Sequence, residues 1–87
     1  MHHARLSASP RLQKTLRVLE GWFGLWVSTR FIARRADICA VNSVIAELRE
    51  NGCEIECKQE VKDGQRRFFY RLRKTPEGWN GTISKDG

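Results

Sequence analysis

Residues 40–51 carry the sequence AVNSVIAELREN, and this stretch decides the fold. Its apolar residues recur at steps of three, one and three, which places them on one stripe of a helix. They are Val41, Val44, Ile45 and Leu48. The opposite face carries small and polar side chains, and Gly52 follows as a residue suited to end a helix. We therefore predict an amphipathic helix over 40–51 with one face in the core and the other free to approach a partner.

Two further helices are predicted before this one. Ser9-Pro10 is typical of an N-cap followed by proline at the first helical position. The apolar stripe that follows consists of Leu12, Leu16, Leu19 and Phe23. We expect this helix to end at Gly24, or earlier at Gly21, because glycine inside a helix costs about 1 kcal/mol relative to alanine.

A short strand over 25–27 is predicted to lead into the second helix. Leu25-Trp26-Val27 is too short for a helix, and Ser28 or Thr29 can cap a new one. That helix is expected over roughly 29–35, with Ile32 and Ala36 facing inward. Arg30 and Arg34 then lie one helical turn apart on the outward face.

The pattern after Gly52 changes to a period of two, which predicts a β-hairpin. Residues 53–61 alternate, and one face consists of Ile55, Cys57, Gln59 and Val61. Asp63-Gly64 is the strongest short-range hairpin signal, because its turn needs positive φ angles. Residues 66–72 return with Phe68, Tyr70 and Leu72 on one face.

One domain, residues 9–73, accounts for all of these elements. Residues 1–8 show no period, and we expect them to be a flexible basic arm. Residues 74–87 contain turn-forming residues and no period, which predicts a loose tail in which Trp79 is the one candidate to dock on the domain.

The composition favours an anionic partner. The 87 residues include 16 Lys and Arg against 10 Asp and Glu, a net charge of +6, and the pI is near 9.8. Nucleic acid and a membrane surface are both compatible with that charge. No apolar run approaches the roughly 18–20 residues of a membrane span, and the N-terminus lacks the apolar centre of a signal peptide. We therefore expect a cytoplasmic protein that is not bound to a membrane.

The three cysteines are expected to be reduced thiols that pack as small hydrophobes. Cys53 and Cys57 lie four apart on a predicted strand, so their Cα atoms are roughly 13 Å apart. A disulfide needs less than about 7 Å. A zinc site would need further Cys or His at ligand spacing, and the only histidines, His2 and His3, lie in the N-terminal arm, which has no pattern. We expect no metal, cofactor or small-molecule ligand.

No catalytic grouping is present, and we do not expect an enzyme. The chain has no His placed near a Ser or Cys nucleophile, no glycine-rich phosphate loop and no spaced pair of inward carboxylates. A deep catalytic cavity is not expected in a domain of this size.

Residues 26–72 resemble the small winged-helix DNA-binding proteins of phages and prophages. The resemblance rests on W-V-S-T before the second helix and on the frame A-x-x-S-x-I-x-E-L-R-x-x-G at 40–52. It also rests on the I-E-C strand and on the return strand F-F-Y-R-L. The family fold is α+β, a winged helix-turn-helix with three helices, a short strand and a C-terminal two-stranded hairpin wing.

The resemblance implies a sequence-specific double-stranded DNA-binding protein, a phage or prophage regulator acting as a repressor, activator or excision factor. Helix 40–51 would enter the major groove and wing 58–67 would touch the backbone or the minor groove. The predicted DNA contacts are Arg30, Arg34, Arg35, Asn42, Ser43, Lys62, Arg66 and Arg67. A homodimer on a two-fold site is compatible with the modest surface of one such domain.

Several of these residues also allow a structural interpretation. Glu47 is expected to form an ion pair or a cap instead of facing phosphates. Four aromatic residues are expected in the core instead of on a platform for single-stranded bases, namely Trp22, Trp26, Phe68 and Tyr70. Phe69 is expected to be exposed on the outer face of its strand. The alternative function is a protein-interaction module that binds a host or phage protein through the acidic residues of helix 40–51 and Phe69.

Overall fold

The computed structural model describes residues 5–79, which form an α+β arrangement of three α-helices and a three-stranded antiparallel sheet. A short 3-10 helix, Leu6–Ala8, precedes them. The helices are α1, Pro10–Gly21, α2, Thr29–Ala36, and α3, Val41–Glu50. The strands are β1, Val27–Ser28, β2, Glu54–Lys62, and β3, Gln65–Lys74. Within residues 5–79, no helix has the length and apolar character that a membrane crossing requires.

Side-chain caps start the first two helices where the sequence predicts them. The Ser9 hydroxyl accepts a hydrogen bond from the Leu12 N–H at 3.3 Å, with Pro10 in the first turn. The Ser28 hydroxyl accepts from the Phe31 N–H at 3.0 Å. These caps satisfy N–H groups that a helix leaves unpaired at its start. α1 ends at Gly21, the earlier of the two predicted ends.

The start of α3 has no side-chain cap. Asp37 ends α2 in the left-handed conformation, at φ 57°, and the chain then turns sharply towards α3. Ala40 occupies the N-cap position, where its side chain has no oxygen to accept a hydrogen bond. The predicted inward stripe of α3 is confirmed, because all four of its residues are buried.

The sheet has the order β1-β3-β2, with every neighbouring pair antiparallel. Tyr70 of β3 lies opposite Val27 on one side and Cys57 on the other. β1 begins two residues later than the predicted strand. Asp63 and Gly64 join β2 to β3 with φ angles of 54° and 75°, which confirms the predicted turn.

One core holds the helices against the base of the hairpin. The stripe of α3 packs with Leu12, Leu16 and Leu19 of α1 and with Ile32 of α2. From the sheet, Ile55, Tyr70 and Leu72 complete this core. The helices therefore cover only that part of the sheet that lies near the start of β2 and the end of β3.

The rest of the hairpin extends away from the core, which corrects two predictions. All residues from 59 to 68 are exposed, so the alternation of β2 gives a buried position only at Ile55. Phe68 is 42% exposed, Trp22 is 44% exposed and Trp26 is only partly buried outside the core, so the prediction that these three residues lie in the core is wrong. A period of two tells which residues share a face, but not how far that face is covered.

The chain outside the three helices and the hairpin also docks in part. Leu6 is buried, and its N–H donates to the Asn51 side-chain oxygen at 3.0 Å, so the predicted flexible arm does not include residues 6–8. Beyond β3, Pro76 is buried and the Trp79 indole N–H donates to the Glu20 carboxylate at 3.0 Å. The rest of the predicted arm and tail, residues 1–4 and 80–87, lies outside the described residues.

Candidate nucleic-acid interface

The start of α2 and the exposed half of the hairpin meet in a groove of about 450 Å³. The Thr29 hydroxyl donates to the Phe68 carbonyl oxygen at 3.1 Å, and Ser28 lies opposite Phe69 in the sheet. We call this the α2–hairpin groove, and it is lined by Ser28, Thr29, Arg30, Gln65, Arg66, Arg67 and Phe68. Three predicted DNA contacts from two separate elements, Arg30, Arg66 and Arg67, thus come together.

The six cations predicted to contact DNA form no ion pair within residues 5–79. Three are on α2 and three are near the hairpin turn, and all six are exposed. Arg35 lies over the Phe31 ring, with its guanidinium carbon 5.6 Å from the ring centroid. Arg34, Arg35 and Lys62 do not line the α2–hairpin groove. Cations without carboxylate partners leave a positive potential for an anionic ligand.

Asn42 and Ser43 lie on the exposed face of α3, as predicted. Within residues 5–79, neither side chain forms a hydrogen bond to another residue. Ser43 lines a cleft of about 570 Å³ between the start of α1 and the start of α3. Lys14 lines the same cleft, and it is exposed. It was not among the predicted contacts, because its sequence position on the polar side of α1 does not show that α3 lies alongside.

Glu47 is part of an ion pair, which confirms its structural interpretation. Its carboxylate accepts from the Arg11 guanidinium at 2.6 Å, which joins α3 to α1. The basic residue of α3, Arg49, donates two hydrogen bonds to the Ile55 carbonyl oxygen, at 3.2 and 2.7 Å. These contacts hold α3 in place relative to α1 and β2. Glu50 remains exposed on the outer side of the helix.

The outer face of the sheet near its core end carries a different kind of charge cluster. Arg71 and Lys58 both lie over the Trp26 ring, at 4.3 and 4.8 Å from its centroid. Both cations also have carboxylate partners, Glu56 for Arg71 and Glu60 for Lys58. We call these five residues the Trp26 cluster. Its cations are already neutralised and stacked, so it offers an anion little free charge.

Two further residues border the Trp26 cluster. Arg73 makes a longer contact with Glu56, at 3.5 Å. The hydrogen bonds from Arg71, and the charges of Arg71 and Arg73, hold the pKa of Glu56 below its usual range. Phe69 was expected to be exposed on this face, but it is only half-exposed, with the Lys58 ammonium 5.6 Å from its ring centroid.

The three thiols are free and differ in their surroundings. Cys53 is buried, and burial raises its pKa to about 11. Cys39 and Cys57 are exposed, so the prediction that all three pack as small hydrophobes is wrong for these two. Within residues 5–79, no group of three or more His, Cys, Asp or Glu residues is placed to hold a metal ion.

Comparisons with known proteins identify no relative: no protein-family model, curated protein or solved structure matches this chain. The function is therefore inferred from three features of the molecule. They are the α2–hairpin groove, the free face of α3 and the distribution of unpaired cations.

Proposed function

We propose that this protein is a winged helix-turn-helix domain that binds double-stranded DNA in a sequence-specific way. α3 would enter the major groove, and the hairpin would act as a wing that contacts the backbone or the minor groove. The order of the elements and the strand order β1-β3-β2 are compatible with this arrangement.

The observation that carries the proposal is the α2–hairpin groove with its unpaired arginines. Arg30 comes from α2, whereas Arg66 and Arg67 come from the hairpin, and the fold collects them on one surface. Most contacts between proteins and DNA are made to phosphates, and guanidinium groups are well suited to them. Three arginines and no carboxylate thus line a groove in which a backbone could be held.

Sequence specificity would come from α3. Asn42 can donate to and accept from an adenine edge, and Ser43 can bond a base or a phosphate. Both side chains are exposed without competing hydrogen bonds among residues 5–79. Of the two acidic residues on α3, Glu47 is neutralised by Arg11, and Glu50 lies about two helical turns beyond Asn42 and Ser43.

The biological role that fits is a phage or prophage transcriptional regulator, acting as a repressor, activator or excision factor in the bacterial cytoplasm, without catalytic activity of its own. One domain of this kind covers roughly 600–1,000 Å² of its surface on DNA. A homodimer on a two-fold site would double that area, and we include it in the proposal.

Binding to duplex DNA over a range of salt concentrations tests the proposal. We expect log K to fall linearly with log salt concentration, and a site selected from random duplexes to bind more tightly than bulk DNA. Arg30→Ala should lower the slope by about 0.9, the contribution of one phosphate contact. Lys74→Ala removes the same charge at the opposite end of β3 and should leave the slope unchanged. Absence of duplex binding at low salt would reject the proposal.

The alternative is a protein-interaction module on the same fold. One observation favours it: Trp22, Phe23 and Leu25 form an exposed apolar loop between α1 and β1. Large exposed apolar side chains often mark partner surfaces. If the proposal is right, alanine at Trp22, Phe23 and Leu25 should leave DNA binding unchanged. If the alternative is right, the unchanged protein should not bind DNA.

A further inference from the structure

Phe68 is an apolar side chain placed among cations on an exposed strand. It lines the α2–hairpin groove with Arg30 and Arg66, and it is 42% exposed. Covering an exposed aromatic ring removes apolar area from water, which favours binding. The ring therefore lies in the groove together with the charges proposed to hold DNA.

The backbone of Phe68 is fixed from two sides. It pairs with Gln59 of β2, and its carbonyl oxygen accepts from the Thr29 hydroxyl at 3.1 Å. The next residue of β3 is paired with β1 through Ser28. Such anchoring lets a side chain meet a ligand at little cost in conformational entropy.

We propose that Phe68 is a DNA-contacting residue that packs against a deoxyribose of one strand, while Arg30 and Arg66 pair with phosphates on either side. The inference rests on the proposed function and adds an apolar contact to it. A DNA strand alternates phosphate and sugar, so a ring that lines the same groove as two cations can meet the unit that joins the phosphates they bind. In a duplex that unit is deoxyribose, because the bases are stacked inside.

Val61 provides a matched control on the same hairpin. It lies opposite Arg66, on the same face as Phe68, and it is 66% exposed. It does not line the α2–hairpin groove. Alanine at either position removes exposed apolar surface from the hairpin, but only the change at Phe68 removes it from the groove.

The test compares Phe68→Ala, Val61→Ala and Arg66→Ala by duplex affinity across a salt series, with thermal melting to verify folding. From the apolar area that the ring would bury, Phe68→Ala should weaken binding about tenfold at every salt concentration. The slope should stay the same, because a neutral side chain releases no counterions. Arg66→Ala should lower the slope by about 0.9, and Val61→Ala should bind as the unchanged protein does.

A benzophenone analogue of phenylalanine supplies a direct second measurement, which also serves if Phe68→Ala does not fold. On irradiation, the benzophenone ketone abstracts a hydrogen atom from a nearby C–H bond, and the two resulting carbon radicals combine to form a C–C bond. The analogue at position 68 should therefore crosslink to deoxyribose, and the analogue at position 61 should not. Two results would overturn this inference and leave the proposed function standing. One is that Phe68→Ala binds duplex DNA as tightly as the unchanged protein, and the other is that the analogue at position 68 gives no crosslink. A lowered slope in Phe68→Ala also overturns it, because Phe68 would then act by positioning the arginines. If the α2–hairpin groove binds an acidic peptide instead of DNA, Phe68→Ala should leave duplex affinity unchanged. Failure of the unchanged protein to bind duplex DNA rejects the proposed function itself.

Discussion

The two ends of the β2–β3 hairpin both carry several cations, but they differ in burial and in the pairing of those cations. The root, residues 54–58 with 69–74, lies on the core. The cations of its outer face are stacked on Trp26 or paired with a carboxylate, either Glu56 of the root or Glu60 at the start of the tip. The tip, residues 59–68 with the turn, is exposed throughout, and its cations Lys62, Arg66 and Arg67 form no ion pair among residues 5–79.

This difference shows that charge count alone does not locate a binding surface. Arg71 and Arg66 belong to the same strand, but one is neutralised and stacked and the other is free. A paired and stacked arginine already interacts with a carboxylate and a ring within the protein, whereas a free arginine can form such interactions with a ligand. The cations of the tip and the three arginines of α2, which form no ion pair among residues 5–79, are therefore the ones free to bind an anionic ligand.

The largest contrast between root and tip should be in stability. Leu72 is fully buried at the root, so Leu72→Ala should lower the free energy of unfolding by about 2–5 kcal/mol through lost contacts and a cavity. Val61→Ala at the tip should stay within about 0.5 kcal/mol. Chemical denaturation of both variants measures the difference. Equal losses would mean that the tip packs against something in solution.

The second contrast concerns DNA binding. Arg66→Ala combined with Arg67→Ala should weaken binding to every sequence about equally and lower the salt slope by roughly one to two. Arg71→Ala removes a cation from the root and should leave the slope unchanged, because that charge is already paired. Mobility shifts at several salt concentrations give the slopes. A slope unaffected by the double substitution would remove the hairpin tip from the interface.

The third prediction separates the tip from α3. Asn42→Ala and Ser43→Ala should each reduce the ratio of specific to non-specific affinity. The loss of one base contact should narrow the difference between the two binding free energies by about 1–3 kcal/mol. Thermal stability should change by no more than about 0.5 kcal/mol, because both side chains are exposed. Competition between a selected site and random DNA measures the ratio. An unchanged ratio in both variants would show that α3 does not read the bases in this orientation.

The smallest expected effect is electrostatic and confined to the root. Arg71→Ala should raise the pKa of Glu56, because the main cause that lowers it is the hydrogen bond from Arg71. A carboxyl whose pKa is lowered by folding contributes stability above its unfolded pKa and loses it as the pH falls through the folded value. The Arg71→Ala protein should therefore lose less stability on acidification. Carboxyl NMR titration gives the pKa, with Arg67→Ala as a control that leaves it unchanged.

The sequence by itself determined the features that depend on near neighbours. Ser9 and Ser28 cap their helices because a hydroxyl reaches an N–H only three residues away. Asp63-Gly64 turns the chain because both residues accept positive φ. The inward stripe of α3 follows from helical spacing alone. The residue types of the candidate site, arginines on α2 and the hairpin and polar residues on α3, were predictable for the same reason.

Only the tertiary structure decided which of these residues meet and which aromatic residues stay exposed. Arg11 and Glu47 pair across 36 positions, and Trp79 reaches Glu20 across 59, at separations where no local pattern operates. Phe68 and Tyr70 share a face by period, but the helices cover the sheet only as far as Tyr70. Burial depends on that coverage and not on the alternation of the strand. The same geometry brings Arg30 and Arg66 to one groove, in which Phe68 is also exposed.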